Sequence, residues 1–344
     1  MKLVIQIPCL NEERTLPRVL GELPRELPGF DAVEWLVIDD GSTDRTSDVA
    51  REGDVDHLVR LTNNKGLAAA FQAGLDAALK LGADVIVNTD ADNQYRATDI
   101  PRLVAPILEG RADMVVGSRS IEEIEHFSRT KKLLQRLGSW VVRRASRTDV
   151  PDATSGFRAY NREAALQLLV VSNFTYTLES LIQARRTLVA VEHVPITTNP
   201  QLRESRLFDS TGAYVRRNAL AVFRAYVLYE PLRFFSRVAA VLLLGALAAW
   251  TPFLLDFIRT GDTSGHVQSL IAGAVLAVVG VQMLALGIVG DALAGQRAIG
   301  QRIYERVRRL ELEAGVRPAH YEPGRRDLRV ERLEELEVER SGPR

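Results

Sequence analysis

The chain has 344 residues, with 44 Lys and Arg balancing 44 Asp and Glu, and 46% of its residues are hydrophobic. These averages exclude collagen, low-complexity chains and disulfide-built miniproteins. A zero net charge also argues against a dedicated nucleic-acid binder, which carries a basic excess.

Residues 3–8 form a short apolar run that meets Asn11-Glu12-Glu13 almost directly. That run is too short for a signal-peptide core, so it predicts a buried first strand. Cys9 is the single cysteine, which fits a reducing compartment, and the N-terminal part is expected in the cytoplasm. A helical pattern follows over 12–27. Further apolar runs at 35–40, 56–61, 84–89 and 114–117 predict strands. Helices are expected from near Thr43, over the alanine-rich 66–81, and over 98–108 with Pro101 in the first turn. This alternation predicts a mostly parallel sheet covered by helices on both faces.

Charge is segregated along the chain. Residues 233–296 hold six charged side chains, whereas 296–344 hold 22. Residues 238–255 and 267–290 carry none. Each stretch is about long enough to cross a hydrocarbon core of roughly 30 Å. Arg233 and Arg237 precede the first, and Arg297, Arg302 and Arg306 follow the second. The link 256–266 has Arg259 as its only Lys or Arg. The positive-inside rule then places both ends in the cytoplasm and the link outside. Upstream, 213–233 mixes Arg216, Arg217 and Arg224 with apolar residues, as an interfacial amphipathic helix does. The expected organisation is a catalytic domain over 1–212, that interfacial helix, transmembrane helices over 234–258 and 266–294, and a charged cytoplasmic tail over 295–344. The tail is assigned no chemistry; a solvated face or a contact between copies is the default.

Ligands of such sheets bind beyond the carboxyl ends of the strands. Carboxylates cluster there: Asp39 and Asp40 after the second strand, Asp90 and Asp92 after the fourth. No G-x-G-x-x-G follows the first strand, and no phosphate-binding G-x-x-x-x-G-K-[ST] occurs. A Mg2+ or Mn2+ ion held by carboxylates is the other way to manage a diphosphate. The five histidines have no zinc-ligand spacing.

Six segments come in a telling order: Pro8-Cys9-Leu10-Asn11-Glu12, Asp39-Asp40-Gly41-Ser42-Thr43-Asp44, Asn64-Lys65-Gly66, Asp90-Ala91-Asp92-Asn93-Gln94, Gly117-Ser118-Arg119, and Asp152-Ala153-Thr154-Ser155-Gly156-Phe157-Arg158. Over about residues 1–210 this set resembles the family 2 glycosyltransferases, in the dolichol-phosphate mannose synthase and polyprenyl-phosphate glycosyltransferase branch. The resemblance implies a GT-A fold and inverting, metal-dependent sugar transfer from a nucleotide sugar, UDP- or GDP-linked, to a polyprenyl phosphate. It implies that Pro8, Leu10, Glu12, Asp39, Asp40, Asp90, Ala91, Asp92, Arg203 and Arg206 bind the nucleotide sugar, with Leu10 in place of a usual tyrosine. It assigns Asp90, Asp92 and Gln94 to the metal, and Arg119, Arg129 and Lys131 to the acceptor phosphate. Asp92, Arg119 and Asp152 carry catalysis in this scheme. Tyr95 stands where the family often has histidine, and Glu179 matches a recurrent acidic position. Within its apolar stretch, Glu179 also suits a buried pairing with an arginine. Partners implied are the lipid bilayer, the donor and the lipid phosphate, with no nucleic acid.

Two other readings compete. A membrane polysaccharide synthase usually shows Q-x-x-R-W, but here Gln183-Ala184-Arg185-Arg186 is followed by Thr187. A non-catalytic membrane scaffold would not need Asp90, Asp92, Gln94 and Arg119 intact.

Overall fold

The computed structural model describes residues 1–119, 150–170, 176–199, 223–224, 226–227, 230–261 and 266–324. The chain divides into two compact units, Met1–Val222 with Gln301–Arg344, and Phe223–Gly300.

The first unit is built on one eight-stranded sheet. Its strands are β1 (Lys2–Cys9), β2 (Ala32–Asp39), β3 (His57–Arg60), β4 (Val85–Asn88), β5 (Met114–Arg119), β6 (Arg158–Asn161), β7 (Val191–Ile196) and β8 (Tyr321–Pro323). The order across the sheet is β7-β5-β6-β4-β1-β2-β3-β8. All strands run one way except β6, antiparallel to β4 and β5, and β8, antiparallel to β3. The central strand β1 is buried on both faces. Leu3, Ile5 and Ile7 join one core cluster with α1 (Leu16–Glu22) and α4 (Ile100–Leu108). Val4 joins the other, against α3 (Leu67–Lys80) and α6 (Tyr176–Arg186). Each such fully buried aliphatic side chain contributes about 1.5–3 kcal/mol. Strands buried on both sides read as continuous apolar runs, which is why the sequence exposes them.

Helix α1 is shorter than the 12–27 pattern predicts. Pro24 forces Leu23 to an extended backbone (ψ 138°) and ends the helix. Helix α2 (Thr46–Glu52) starts just after the expected position near Thr43, and α5 (Arg162–Gln167) follows β6.

The second unit is a helix pair, α7 (Pro231–Thr260) and the first part of α8 (Val267–Glu313). Both helices are long and apolar enough to cross a membrane. Their aliphatic side chains mostly face outward; Val241 is 69% exposed and Ile288 64%. A core helix of a soluble protein would hide them. Inside the pair, backbones approach at small residues. Ala239 and Ala246 are buried on α7. On α8, a Cβ added at Gly273 would sit 2.2 Å from Trp250 Nε1, and one at Gly280 3.0 Å from Leu243 Cγ.

Residues 301–324 were expected within a charged tail, yet they fold with the sheet unit. Arg308 is 3% exposed and donates from Nη1 to the carbonyls of Ala165, Leu166 and Leu168 at the end of α5. A cation suits the negative end of a helix dipole. Asp76 lies 3.5 Å from Arg308 Nε and 3.0 Å from Lys80 Nζ. Beyond α8, β8 extends the sheet, with the Tyr321 hydroxyl 2.9 Å from His57 Nδ1.

Candidate active site

The carboxyl ends of β1, β2, β4 and β5 lie along one edge of the sheet, where the β5–β6 approach also begins. After β1, Asn11 takes a positive φ of 55° and turns the chain. Its side-chain oxygen accepts from Thr43 N–H at 2.8 Å, and its own N–H donates to Ser42 Oγ at 2.9 Å. Glu12 N–H donates to Thr46 Oγ1 at 2.8 Å. The Pro8–Glu12 and Asp39–Asp44 segments are thereby tied together. Pro8 and Glu12 are buried and Leu10 is half-buried.

Asp39 and Asp40 are both buried but face different duties. Asp39 accepts from Ser42 N–H at 2.7 Å and from the Ser47 hydroxyl, with Arg60 Nε 4.0 Å away. Asp40 accepts from the N–H groups of Lys65 and Gly66 at 2.8 and 2.9 Å. Burial still raises the Asp40 pKa above the ordinary carboxylate value, against those two donors. The Asn64-Lys65-Gly66 turn is therefore anchored through its backbone.

After β4 the chain turns through Asp90-Ala91-Asp92-Asn93-Gln94. Asn93 adopts φ 60°, a conformation asparagine tolerates. Asp92 Oδ1 accepts from Gln94 N–H at 2.9 Å, closing the turn. Asp90, Asp92 and Gln94 are half-buried, whereas Ala91 is buried. Burial and the neighbouring Asp92 charge push the Asp90 carboxyl up to about 7, against the pull of Arg119. Two carboxylates beside an amide oxygen form an oxygen-only donor set that fits a hard divalent cation. Among the described residues no group of three or more His, Cys, Asp and Glu could hold a metal. The described residues thus offer few ligands, the pattern of sites where substrate phosphates complete the shell.

Arg119, the last residue of β5, faces this turn. Its Nε donates to Asp152 Oδ2 at 2.6 Å and its Nη2 to Asp152 Oδ1 at 3.2 Å, a two-pronged pair. Nη2 also reaches Thr154 Oγ1 at 3.1 Å, and Nη1 reaches Gln94 Oε1 at 3.4 Å. Asp152 is fully buried. Burial disfavours its charge, yet the Arg119 guanidinium prevails and holds its pKa below the ordinary value. Gln94 thus links the acidic turn to the cationic group.

Several residues to which sequence reasoning gave no role in the site, or which it did not name, complete it. Tyr95 is buried, stacks on Phe157 at 5.1 Å, and accepts from Gly156 N–H at 3.0 Å. Asn88 donates from Nδ2 to Gly156 O at 2.8 Å and to the Tyr176 hydroxyl at 3.2 Å. Arg158 is buried and serves the same loop, donating to the Ser155 and Ala153 carbonyls and to Ser180 Oγ. Glu179 is buried on α6 and accepts from Gln183 Nε2 at 3.2 Å. Arg129, Lys131, Arg203 and Arg206 lie outside the described residues, as does most of the expected interfacial helix.

Residues 4–169 match the model of the family described as glycosyl transferase family 2. An undecaprenyl-phosphate mannosyltransferase of Micrococcus luteus is 30% identical over 218 residues, covering 60% of this chain and 88% of that protein. A UDP-N-acetylglucosamine–dolichyl-phosphate N-acetylglucosaminyltransferase of Methanococcus voltae is 29% identical, covering 56% and 83%. Among solved structures, glucosyl-3-phosphoglycerate synthase of Mycobacterium tuberculosis, crystallised with Mn2+, UDP-glucose and phosphoglyceric acid, superposes with a TM-score of 0.53. It is 24% identical over 65% of this chain and 79% of its own. That likeness identifies the fold of the first unit as GT-A, as the resemblance implied.

Proposed function

The chain belongs to glycosyl transferase family 2 and is a glycosyltransferase, and from that premise we propose that it transfers a sugar from a nucleotide-sugar donor to a polyprenyl phosphate. The acceptor is undecaprenyl or dolichyl phosphate, the anomeric carbon inverts, and the reaction runs at the cytoplasmic face of a membrane spanned by α7 and α8. The observation that carries this reading is the adjoining of two opposite charges on one rim. The Asp90–Asp92 turn and the Arg119–Asp152 pair meet through Gln94.

Asp90, Asp92 and Gln94 would hold Mg2+ or Mn2+, which when bound neutralises the leaving diphosphate. Pro8, Leu10, Glu12, Asp39, Asp40 and Ala91 line the nucleotide side, and Arg203 and Arg206 add positive charge to the donor. The acceptor phosphate has a second pKa of about 6, so it is mostly dianionic at neutral pH. One of its oxygens attacks the anomeric carbon. The bond from that carbon to the nucleoside diphosphate breaks, and its electron pair leaves with the diphosphate. No proton is abstracted, so no general base is required. Arg119 holds the incoming dianion near its own negative donor, assisted by Arg129 and Lys131. Asp152 keeps the Arg119 guanidinium oriented. The M. luteus and M. voltae relatives, named for lipid phosphates, support the acceptor class. The sugars in their names differ at nearly the same identity, so the donor sugar is a matter for assay.

The test is a panel of radiolabelled nucleotide sugars incubated with the membrane-extracted protein, polyprenyl phosphate and Mn2+ or Mg2+. Label enters the lipid fraction with at least one donor; if none labels lipid, the proposal fails. Asp92→Asn is expected to lower turnover by a factor on the order of a hundred or more with an unchanged melting temperature. Wild-type turnover in that variant contradicts the metal role.

A further inference from the structure

Gly156 has an ordinary backbone conformation; its φ is not among the positive values that make glycine necessary. The demand on it is one of space. A Cβ added there would lie 3.1 Å from both carboxylate oxygens of Asp90 and 2.6 Å from the Tyr176 hydroxyl. The first contacts are tight and the second is closer than real Cβ atoms come.

The walls of this space cannot retreat easily. Tyr176 is 3% exposed and stacks on Phe71 with ring centroids 4.1 Å apart. Its hydroxyl is held by Asn88 Nδ2. Asn88 is itself fixed, because Gln6 Nε2 donates to its Oδ1 at 2.8 Å. The backbone of Gly156 is pinned on both sides, its N–H by the Tyr95 hydroxyl and its carbonyl by Asn88. Close-packed surroundings of this kind transmit a displacement rather than absorb it. Asp90 is half-buried whereas Tyr176 is buried, so an added methyl would push toward Asp90.

We propose that Gly156 is a positioning residue for Asp90: its missing side chain, backed by the rigid Tyr176 ring, reserves the volume in which the Asp90 carboxylate is aimed at a divalent cation. The inference deepens the metal reading above and rests on it. It accounts for a glycine within the Asp152–Arg158 segment that backbone geometry alone does not require. It also gives Tyr176 and Asn88 a part in the metal site.

The experiment titrates Mn2+ onto the full-length protein in detergent, alone and with UDP or GDP at a fixed level, with protein-bound Mn2+ resolved by electron paramagnetic resonance against a protein-free blank of the same composition. Wild type, Asp92→Asn, Gly156→Ala, Tyr176→Phe and the double variant Gly156→Ala/Tyr176→Phe are compared. Gly156→Ala is expected to weaken Mn2+ binding about 10- to 100-fold, the range for lost outer support of a metal ligand. Tyr176→Phe removes the oxygen that would collide, so the double variant recovers most of that loss. General misfolding would not be repaired by a second core substitution. Gly156→Ala binding as wild type overturns the proposal, and so does a double variant no better than the single. If wild type binds no Mn2+ even with UDP or GDP present, or Asp92→Asn binds equally well, the metal reading has failed and takes this inference with it.

Discussion

Asp152 takes two donors from Arg119 and has no exposure to water, so each charge depends on the other. Its folded pKa lies below the ordinary value. Stability from such a group is fully present above the unfolded pKa of about 3.9 and is lost as pH falls through the folded value. Asp152→Asn is therefore expected to cost about 3–5 kcal/mol at neutral pH, the cost of stranding a buried guanidinium. The melting-temperature gap to wild type should begin to narrow below about pH 4 and close only as pH falls through the lower folded value, where the native carboxyl becomes neutral. A gap that persists unchanged in acid contradicts the pairing. At this scale the sequence was partly legible. Asp90, Asp92, Gln94 and Arg119 stand at strand ends, and strand ends can be read from apolar runs. Tyr95, Asn88, Gly156 and Tyr176 were not legible, since their roles exist only once the 150s loop folds back on β4. No local pattern records that long-range contact.

Among the elements, β1 to β5 were readable because burial on both faces leaves no polar alternation. Strand β6 has only four residues, Arg-Ala-Tyr-Asn, and its antiparallel insertion between β4 and β5 has no local signature. Strand β8 is three residues that pair with β3 from more than 250 positions away. The apolar helices were plain from composition, but the extent of α8 was not. Its charged end looked solvated, whereas Arg308 caps α5. In the helix pair, Gly273 faces Trp250 with no room for a side chain. Gly273→Leu is expected to weaken the pair by about 1–3 kcal/mol. Val275→Leu, at a 57% exposed position, should leave it unchanged. Thermal melts in detergent compare the two, and equal effects would show that the glycine face does not pack.

For the whole molecule, the balanced charge of the chain is a sum over unlike parts. Acidic and basic groups meet at one sheet edge, the stretches 238–255 and 267–290 carry no charge, and the C-terminal region is dense in both signs. The proposed orientation puts the link between α7 and α8 outside. A Ser264→Cys variant should react with a membrane-impermeant maleimide in intact cells, while Ser341→Cys should react only after permeabilisation. Native Cys9 is buried and gives no background. The reverse labelling would place the catalytic unit on the wrong side for its donor.

Mass spectrometry of the lipid product addresses the reaction itself. With donor and polyprenyl phosphate supplied together, the product should carry one sugar on a lipid that retains a single phosphate. One nucleoside diphosphate should be released for each sugar transferred. A product with two phosphates, or a sugar joined to lipid alcohol, would contradict direct attack by the acceptor phosphate.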